Sequence, residues 1–570
     1  MSVPSVRLPD PIVNRLRSVE VREAVIRHWR LALLFGLVGL GLWLRVRNLG
    51  AQPFWVDEVV HAWAADSVLA GEGFALPNGT AYDRAWLPAT LPIAASFALF
   101  GPTEVAARIP SAFVGTATIA AAYALGREYA TREVGLLLAC FVALDPMSIA
   151  WSREARMYAH LQLLYVVTLV LLGGWYRRGL PFRATHLLPL GIVFALGYLT
   201  HETYSSVAVV FAAFLGAVLA GRAVRWSTDT RLLAGPSDEA WRLLLVLGAL
   251  CVAGAAVALA RGLPPELVAE PVGGWPERGT GYYADFFRRR YGAFVWLLVP
   301  GTLSLLYRGG RSHLLLLAFA LPFAAASVVD LKAARWIVHL VPLFALIALC
   351  GLLPIYDGVT RTARRVGVRE RLGTSAVDAR TVALAVVLAI ALPAMVVAVS
   401  PATAVAVTDA DAESTTVSRS DHAASAAFVD EHGSEADAIV SPRPEVTAWY
   451  GGDVDYFLRT DGIDRVEERD GERVHPRTGT VYLDDVDAVR ELFEREESGW
   501  IVASARFDGG YVDPEVREYV RENTVRYADD DWNNLELYYW GPDPPDPEPV
   551  EHDHADRSGT ASPALTARHR

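Results

Sequence analysis

The sequence predicts a polytopic α-helical membrane protein that carries a soluble α/β domain towards its C-terminal end. Two observations predict this class. The chain has 570 residues, is 52% hydrophobic and has a mean hydropathy of +0.26. Its apolar residues gather in runs of the length that crosses a hydrocarbon core of about 30 Å. Charge is also segregated. Arginine runs through the first two thirds, whereas aspartate and glutamate crowd the last third, for a net charge of -12. The one lysine is Lys332. An acidic soluble part almost without lysine is the composition expected in strong brine, where negative charge keeps a surface solvated. Cys140, Cys251 and Cys350 all lie in apolar runs. They read as small core residues, with neither a disulfide framework nor metal-ligand spacing.

The elements follow in order. Residues 1–30 carry Arg7, Arg15, Arg17, Arg22, Arg27 and Arg30 ahead of Leu31–Leu44. No small-residue cleavage pattern follows, so this run predicts a first spanning helix with its N-terminus inside, not a signal peptide. Spans are predicted near 29–47, 106–126, 133–151, 157–176, 187–200, 203–221, 241–261, 291–307, 313–329, 336–355 and 380–400. Leu87–Phe100, about fourteen residues, is short for a span. If it stays on the outer surface, Arg127/Arg132, Arg177/Arg178/Arg183, Arg222/Arg225, Arg308/Arg311 and the run from Arg361 to Arg371 all fall inside. If it crosses, all of them fall outside. The positive-inside rule selects the first arrangement: about eleven helices, N-terminus in, C-terminal domain out.

The first span leads into Arg45-Val46-Arg47-Asn48-Leu49-Gly50-Ala51-Gln52-Pro53-Phe54-Trp55-Val56-Asp57-Glu58. An acidic pair at the end of a span is costly against lipid and requires a water-filled or protein-lined pocket. A solvated loop is the plainer reading, but Pro53 and Trp55 beside the pair suit a packed interface better. The first outer loop, 48–105, continues through Ala62–Ala70 and Tyr82-Asp83-Arg84-Ala85-Trp86 to Leu87–Phe100. Two helices lying on the membrane surface would roof a cavity there. Asn78-Gly79-Thr80 fits a glycosylation acceptor, a triplet common by chance.

The predicted topology also places basic residues on the outer face: Arg45 and Arg47; Arg153 and Arg156; Arg278, Arg288, Arg289 and Arg290; Lys332 and Arg335. Snorkelling to headgroups accounts for any one of them. Together they predict a basic outer pocket suited to a phosphate group, which guanidinium groups bind in bidentate fashion. In the second outer loop, Ser152-Arg153-Glu154-Ala155-Arg156-Met157-Tyr158, Glu154 and Arg156 either neutralise each other at a helix end or belong to the site; the site reading is preferred. Thr200-His201-Glu202 is a tight hairpin turn. One His with one Glu is a weak metal signal, and a capping turn at the interface is the favoured reading. The glycines of 262–290 mark either a mobile flap or a plain connector.

These residues resemble those of polyprenyl-phosphate-sugar-dependent glycosyltransferases of the GT-C superfamily. The branch is that of protein O-mannosyltransferases and aminoarabinose transferases, family 39. The resemblance covers roughly 30–400. It is carried by Leu44-Arg45 through Asp57-Glu58, Phe100-Gly101 with Arg108, Ser152 to Tyr158, Thr200-His201-Glu202, and Arg335-Trp336 with Pro342. Leu87-Pro88 stands where the family often has Pro-Pro, and no Trp-Trp-Asp motif is present, unlike the oligosaccharyltransferase branch. The resemblance implies that Asp57 is the catalytic acid/base residue. It also implies that the donor is a sugar, such as the hexose mannose, on a dolichyl or other polyprenyl phosphate. The acceptor would be a protein or lipid-linked glycan hydroxyl.

The chemistry of the residues agrees. A carboxylate at the acceptor hydroxyl removes its proton during attack on the anomeric carbon. Cationic side chains offset the charge that grows on the leaving phosphate. One base and one cationic clamp suffice for an inverting displacement. Asp57 fits the first role; Arg288–Arg290 and Arg335 are candidates for the second. Arg45, Arg153, Arg156, Tyr158, His201, Glu202 and Lys332 complete the expected substrate-binding set. Glu58, grouped with Asp57, and Glu154 would orient the acceptor or hold a cation. No metal-ligand cluster is evident and no cofactor is required, though a divalent cation has room. A flippase for lipid-linked sugars would gather similar charge, but paired repeats and broken mid-membrane helices are not evident. A non-catalytic scaffold would not need Asp57-Glu58.

The expected division of the chain is 1–28 cytoplasmic, 29–400 transmembrane and catalytic, 401–420 linker, 421–540 extracytoplasmic α/β domain and 541–570 disordered tail. Within 421–540, Ala438–Ser441, Val454–Leu458, Thr480–Leu483, Val486–Glu497, Trp500–Ala505, Pro514–Asn523 and Leu535–Trp540 alternate strand and helix patterns. No Gly-rich phosphate loop or nucleophile motif appears among them.

Overall fold

The computed structural model describes residues 10–178, 184–216, 279–329, 332–366, 379–406, 408, 419–460, 466–469, 471–504, 507–528, 532–533 and 535–545. The protein is a multi-pass helical bundle with a β-sheet layer at one end. Six described helices are long and apolar enough to cross a membrane, or seven if one bent pair counts as a span. Shorter apolar helices at Leu187–Thr200, Glu202–Gly216 and Phe294–Arg308 lie at three more of the predicted spans. The predicted span 241–261 and most of the 262–290 segment lie outside the described residues, as does Cys251.

Helix α1 is Asp10–Val46, and α4, Glu104–Tyr129, begins where the Thr103 side chain accepts a hydrogen bond from the Ala106 amide. The predicted span 133–151 is broken. Helix α5, Arg132–Leu144, stops before Asp145-Pro146, and α6, Pro146–Ser152, restarts at an angle of 58°. Proline lacks the amide that would continue α5 and disfavours helical backbone just before it. Asp145 caps the new start by accepting from the Ser148 amide at 2.8 Å. Helices α7, Tyr158–Arg178, and α8, Ala184–Thr200, follow. The most apolar window of Ala334–Arg365 is 94% buried, against 22% for His28–Val46. The former therefore runs through the middle of the bundle and the latter along its rim. A Cβ at Gly115 would lie 1.9 Å from Ser152 Oγ, so the missing side chain lets α4 and α6 meet beside the site.

Between α1 and α4 the chain forms α2, Val56–Ala70, and α3, Leu91–Phe100. Val59, Ala62 and Ala65 of α2 pack on Ile93, Ala94 and Phe97 of α3 and on Ala106 and Ala107 of α4. With the helical turn Trp86–Thr90 that leads into α3, the apolar helix Trp86–Phe100 rises about 22 Å, short of a hydrocarbon core of about 30 Å. Gly101, at φ 81°, ends the helix. We expect cysteines placed near Thr103 and Glu104 to be labelled by a membrane-impermeant reagent applied from outside. Protection there, with labelling near Arg127 instead, would contradict a surface-lying α3.

The C-terminal layer is an eight-stranded mixed sheet of order β3-β4-β5-β2-β1-β6-β8-β7. The strands are β1 Ala438–Ser441, β2 Tyr456–Leu458, β3 Glu467–Arg469, β4 Glu472–Val474, β5 Val481–Leu483, β6 Gly499–Ala503, β7 Val525–Ala528 and β8 Glu536–Trp540. Strands β5, β2, β1 and β6 are parallel, and antiparallel strands flank them. Side chains alternate between faces. In β6, Ile501 and Ala503 face helices Val486–Arg495 and Pro514–Asn523, while Trp500 and Val502 face helix His422–His432. Helix Pro444–Gly451 docks the sheet on the bundle: Val446, Trp449 and Tyr450 join the α2–α3 cluster. The Tyr450 hydroxyl accepts from the Phe54 amide at 2.7 Å and donates to Glu104 Oε1 at 2.5 Å.

Candidate active site

Asp57 and Glu58 sit in the first turn of α2, where the positive end of the helix dipole favours carboxylates. Adjacent in sequence, they have opposite surroundings. Glu58 is fully buried. Its Oε1 and Oε2 accept from Arg108 Nε and Nη2 at 2.8 and 2.9 Å. It also accepts from the Ala155 amide at 2.8 Å and from Arg419 Nη1 at 3.0 Å. Burial opposes this charge, but Arg108, Arg419 and these hydrogen bonds hold the Glu58 carboxyl down at about 2. Asp57 keeps 22% of its side chain open. Arg156 Nη2 lies 3.2 Å from Asp57 Oδ2, and Arg156 Nη1 donates to the Asp57 carbonyl at 2.9 Å. Burial raises the Asp57 carboxyl, yet the charges of Arg156, Arg335, Arg477 and Arg84 together hold it at about 2.

The loop between α6 and α7 does not pair with itself. Arg156 turns to Asp57, and Glu154 accepts from Arg419 Nη2, so Glu154 and Arg156 serve different partners. Glu154 Oε2 is buried without a described partner. Burial and the neighbouring Glu58 push the Glu154 carboxyl up despite Arg419. Tyr158 stacks edge-on with Trp151 and lies 5.7 Å from the His201 ring. His201 Nδ1 accepts from the Thr203 amide at 3.2 Å, so the ring proton of neutral His201 sits on Nε2. That Nε2 is buried with no described partner. Burial, then Arg84 and Arg156, keep the ring neutral. Glu202 lies 3.6 Å from Arg84 at the rim. The Arg335 guanidinium lies over the Trp55 ring at 5.5 Å, and Lys332 is buried.

Other expected site residues are placed elsewhere. Arg45 is buried and donates to Ser152 Oγ and to the carbonyls of Gly41 and Val142, joining α1 to α5 and α6. Arg153 donates to the carbonyls of Arg45, Arg47 and Asn48 and so caps the end of α1. Arg288 pairs with Asp285 one turn away, 68% exposed. Among the described contacts, none joins Arg288, Arg289 or Arg290 directly to the Asp57 cluster. Among the described residues, no three His, Cys, Asp or Glu side chains gather as metal ligands. Glu58, with its oxygens on two guanidinium groups, is ill-suited to hold a cation.

The structure adds residues without a site role in the sequence reading. Arg108 stands out in sequence as an arginine near a span end, which is a functional or structural signal. Buried His61 shares α2 with Asp57; its ring nitrogens meet Thr90 Oγ1 at 3.0 Å and the Tyr82 hydroxyl at 3.4 Å. Arg477 comes from the turn between β4 and β5, which rests on the first loop where Asn78 Nδ2 donates to the Pro476 carbonyl at 2.8 Å. Arg419 comes from the predicted linker and carried no signal.

Residues 87–235 match the family model for dolichyl-phosphate-mannose-protein mannosyltransferase. No curated protein matches the sequence. Among solved structures, ArnT from Cupriavidus metallidurans in the apo state superposes with a TM-score of 0.54 at 12% identity, over 91% of this chain and 100% of that one. The same protein bound to undecaprenyl phosphate gives 0.54 at 12%, over 90% and 100%. The archaeal oligosaccharyltransferase AglB from Archaeoglobus fulgidus, in complex with an inhibitory peptide and a dolichol-phosphate, gives 0.57 at 12%, over 90% of this chain and 74% of that one. At such identity the structural likeness establishes the fold.

Proposed function

We propose that this chain, which shares its fold with the solved structures above and matches the family model over residues 87–235, is a GT-C superfamily enzyme that moves a sugar from a polyprenyl phosphate to an acceptor hydroxyl. One observation carries the reading: of two adjacent carboxylates, Glu58 is sealed in ion pairs while Asp57 stays open and ringed by arginines. Asp57 takes the proton of the acceptor hydroxyl as its oxygen attacks the anomeric carbon. The bond from that carbon to the phosphate oxygen breaks, and the lipid phosphate leaves carrying the electron pair. One displacement inverts the anomeric centre. Arg335, Arg84 and the Nε2–H of His201 face the growing negative charge. At rest the arginines make Asp57 a weak base. A bound phosphate neutralises them, so its arrival raises the proton affinity of Asp57 when a base is needed.

The reading extends to a hexose such as mannose on a dolichyl-type carrier, supported by the description of the matching family model. The acceptor is a hydroxyl on a protein or lipid-linked glycan outside the cytoplasm, a side supported by the arginine distribution of the sequence. The near absence of lysine supports work at high salt. The test compares glycans on extracytoplasmic proteins and on lipid carriers from cells with and without the chain. The reading expects a missing sugar; unchanged glycans and carriers would overturn it.

Arg335→Ala is expected to raise the donor KM through the loss of one charge-assisted contact, worth about 1.5–3 kcal/mol. It also relieves Asp57. A carboxylate with a depressed pKa stays ionised until pH falls through that value, here about 2 against an ordinary 3.8. Removing Arg335 therefore moves the acid limb of kcat/KM to higher pH. A variant with the parental donor KM and acid limb would remove Arg335 from the donor site.

A further inference from the structure

We propose that Arg419 is a positioning residue for transfer, a strut from the sheet layer that locks α2 to the Arg153–Met157 loop, so that transfer depends on docking of that layer. The inference rests on the reading of Asp57 as the base.

The backbone of Arg419 belongs to the sheet layer. Its carbonyl accepts from Asn533 Nδ2 at 2.6 Å. Two residues on, the Asp421 amide donates to the Trp532 carbonyl at 3.0 Å, and the Asp421 side chain caps helix His422–His432. The side chain of Arg419, 8% exposed, reaches into the bundle. Its Nη1 donates to Glu58 Oε2 and to the Pro53 carbonyl, each at 3.0 Å, and its Nη2 donates to Glu154 Oε1. Glu58 directly follows Asp57 on α2. Glu154 lies two residues before Arg156, which grips both the carboxylate and the carbonyl of Asp57. Both halves of the Asp57–Arg156 pair are thus one step from Arg419.

Charge explains why the strut must be a guanidinium. Buried Glu58 and Glu154 face Arg108 and Arg419, two charges against two. Without Arg419, Glu58 and Glu154 share one guanidinium; Glu154 then either repels Glu58 or takes up a proton, and in both cases the tie between α2 and the loop is lost. Asp57 and Arg156 then lose register. A misplacement of about 1 Å costs on the order of 10²-fold in rate. Lysine would restore the charge, but its donors sit on one nitrogen and do not reproduce the two separate nitrogens that reach Glu58 and Glu154.

In the full-length chain, R419Q is expected to lower kcat about 10- to 100-fold and change the donor KM by less than about threefold, with R419K intermediate. E154Q/R419Q should lose less than the product of the single losses, because the second change removes the uncompensated carboxylate. Hydrogen exchange at the Phe54 amide, bonded to Tyr450, reads docking without turnover and should speed up in R419Q. Parental kcat in R419Q, or in R419K should R419Q fail to fold, overturns the proposal. So do a loss confined to KM, multiplicative losses in the double variant, or unchanged Phe54 exchange. If the parent does not use polyprenyl-phosphate sugars at all, the function reading fails while the exchange measurement still decides the docking role of Arg419.

Discussion

Asp57→Asn is expected to lower transfer by about 10² to 10⁴-fold, the usual contribution of a general base, in a chain that still folds and inserts. Asparagine keeps the shape of the side chain and an oxygen for Arg156, but it cannot take a proton from the acceptor. Arg156 also retains the Asp57 carbonyl at 2.9 Å, so the loop stays attached to α2. Arg156 is 3% exposed, so losing the charge opposite it costs stability; the 22% of Asp57 open to solvent and the retained carbonyl contact keep that cost below the loss of a fully buried pair. The check is initial rate per folded molecule, with folding read from the elution profile and melting midpoint. Near-parental transfer by the purified variant would remove Asp57 as the base.

Arg108→Gln acts on folding instead, and its expected cost is about 3–5 kcal/mol, that of leaving one partner of a buried pair behind. Arg108 and Glu58 are 2% and 0% exposed, so solvent does not screen the loss. The guanidinium also donates to the carbonyls of Leu49, Gln52 and Pro53, which hold the connection from α1 to α2. Those acceptors would be left buried. Domains are stable by about 5–15 kcal/mol, so this single change removes a large share. The melting midpoint in detergent should fall by many degrees. A midpoint equal to the parent's would show that the pair is not the anchor of the first loop.

The two variants separate two roles that adjacency in sequence conceals. Asp57-Glu58 reads in the sequence as one acidic motif with both residues at the chemistry. Burial alone distinguishes them, and burial depends on Arg108 and Arg419, which are 50 and 361 positions from Glu58. Helices were legible because lipid forces apolar runs of fixed length, and the break at Pro146 was legible in principle from proline chemistry. The strand Ala438–Ser441 appears with its predicted bounds because a buried central strand is a short apolar run between turn residues. Edge strands escaped. Glu467–Arg469 is exposed throughout, so neither β-propensity nor alternation marks it, and charge at an edge instead blocks pairing with other chains. In the Arg288–Arg290 run, charge density alone does not tell a phosphate clamp from a solvated helix face, and Arg288 is engaged by Asp285 one turn away. Arg419 was not legible, because a lone arginine in a polar linker has no periodicity to read.

If the sugar comes from a polyprenyl phosphate, the lipid phosphate must leave as the sugar moves. Supplying the purified chain with polyprenyl-phosphate hexose in vesicles and counting free polyprenyl phosphate against transferred sugar decides this. One polyprenyl phosphate is expected per sugar, with inversion at the anomeric carbon and loss of both products in Asp57→Asn. Transfer from a nucleotide sugar with no release of polyprenyl phosphate would rule the donor out.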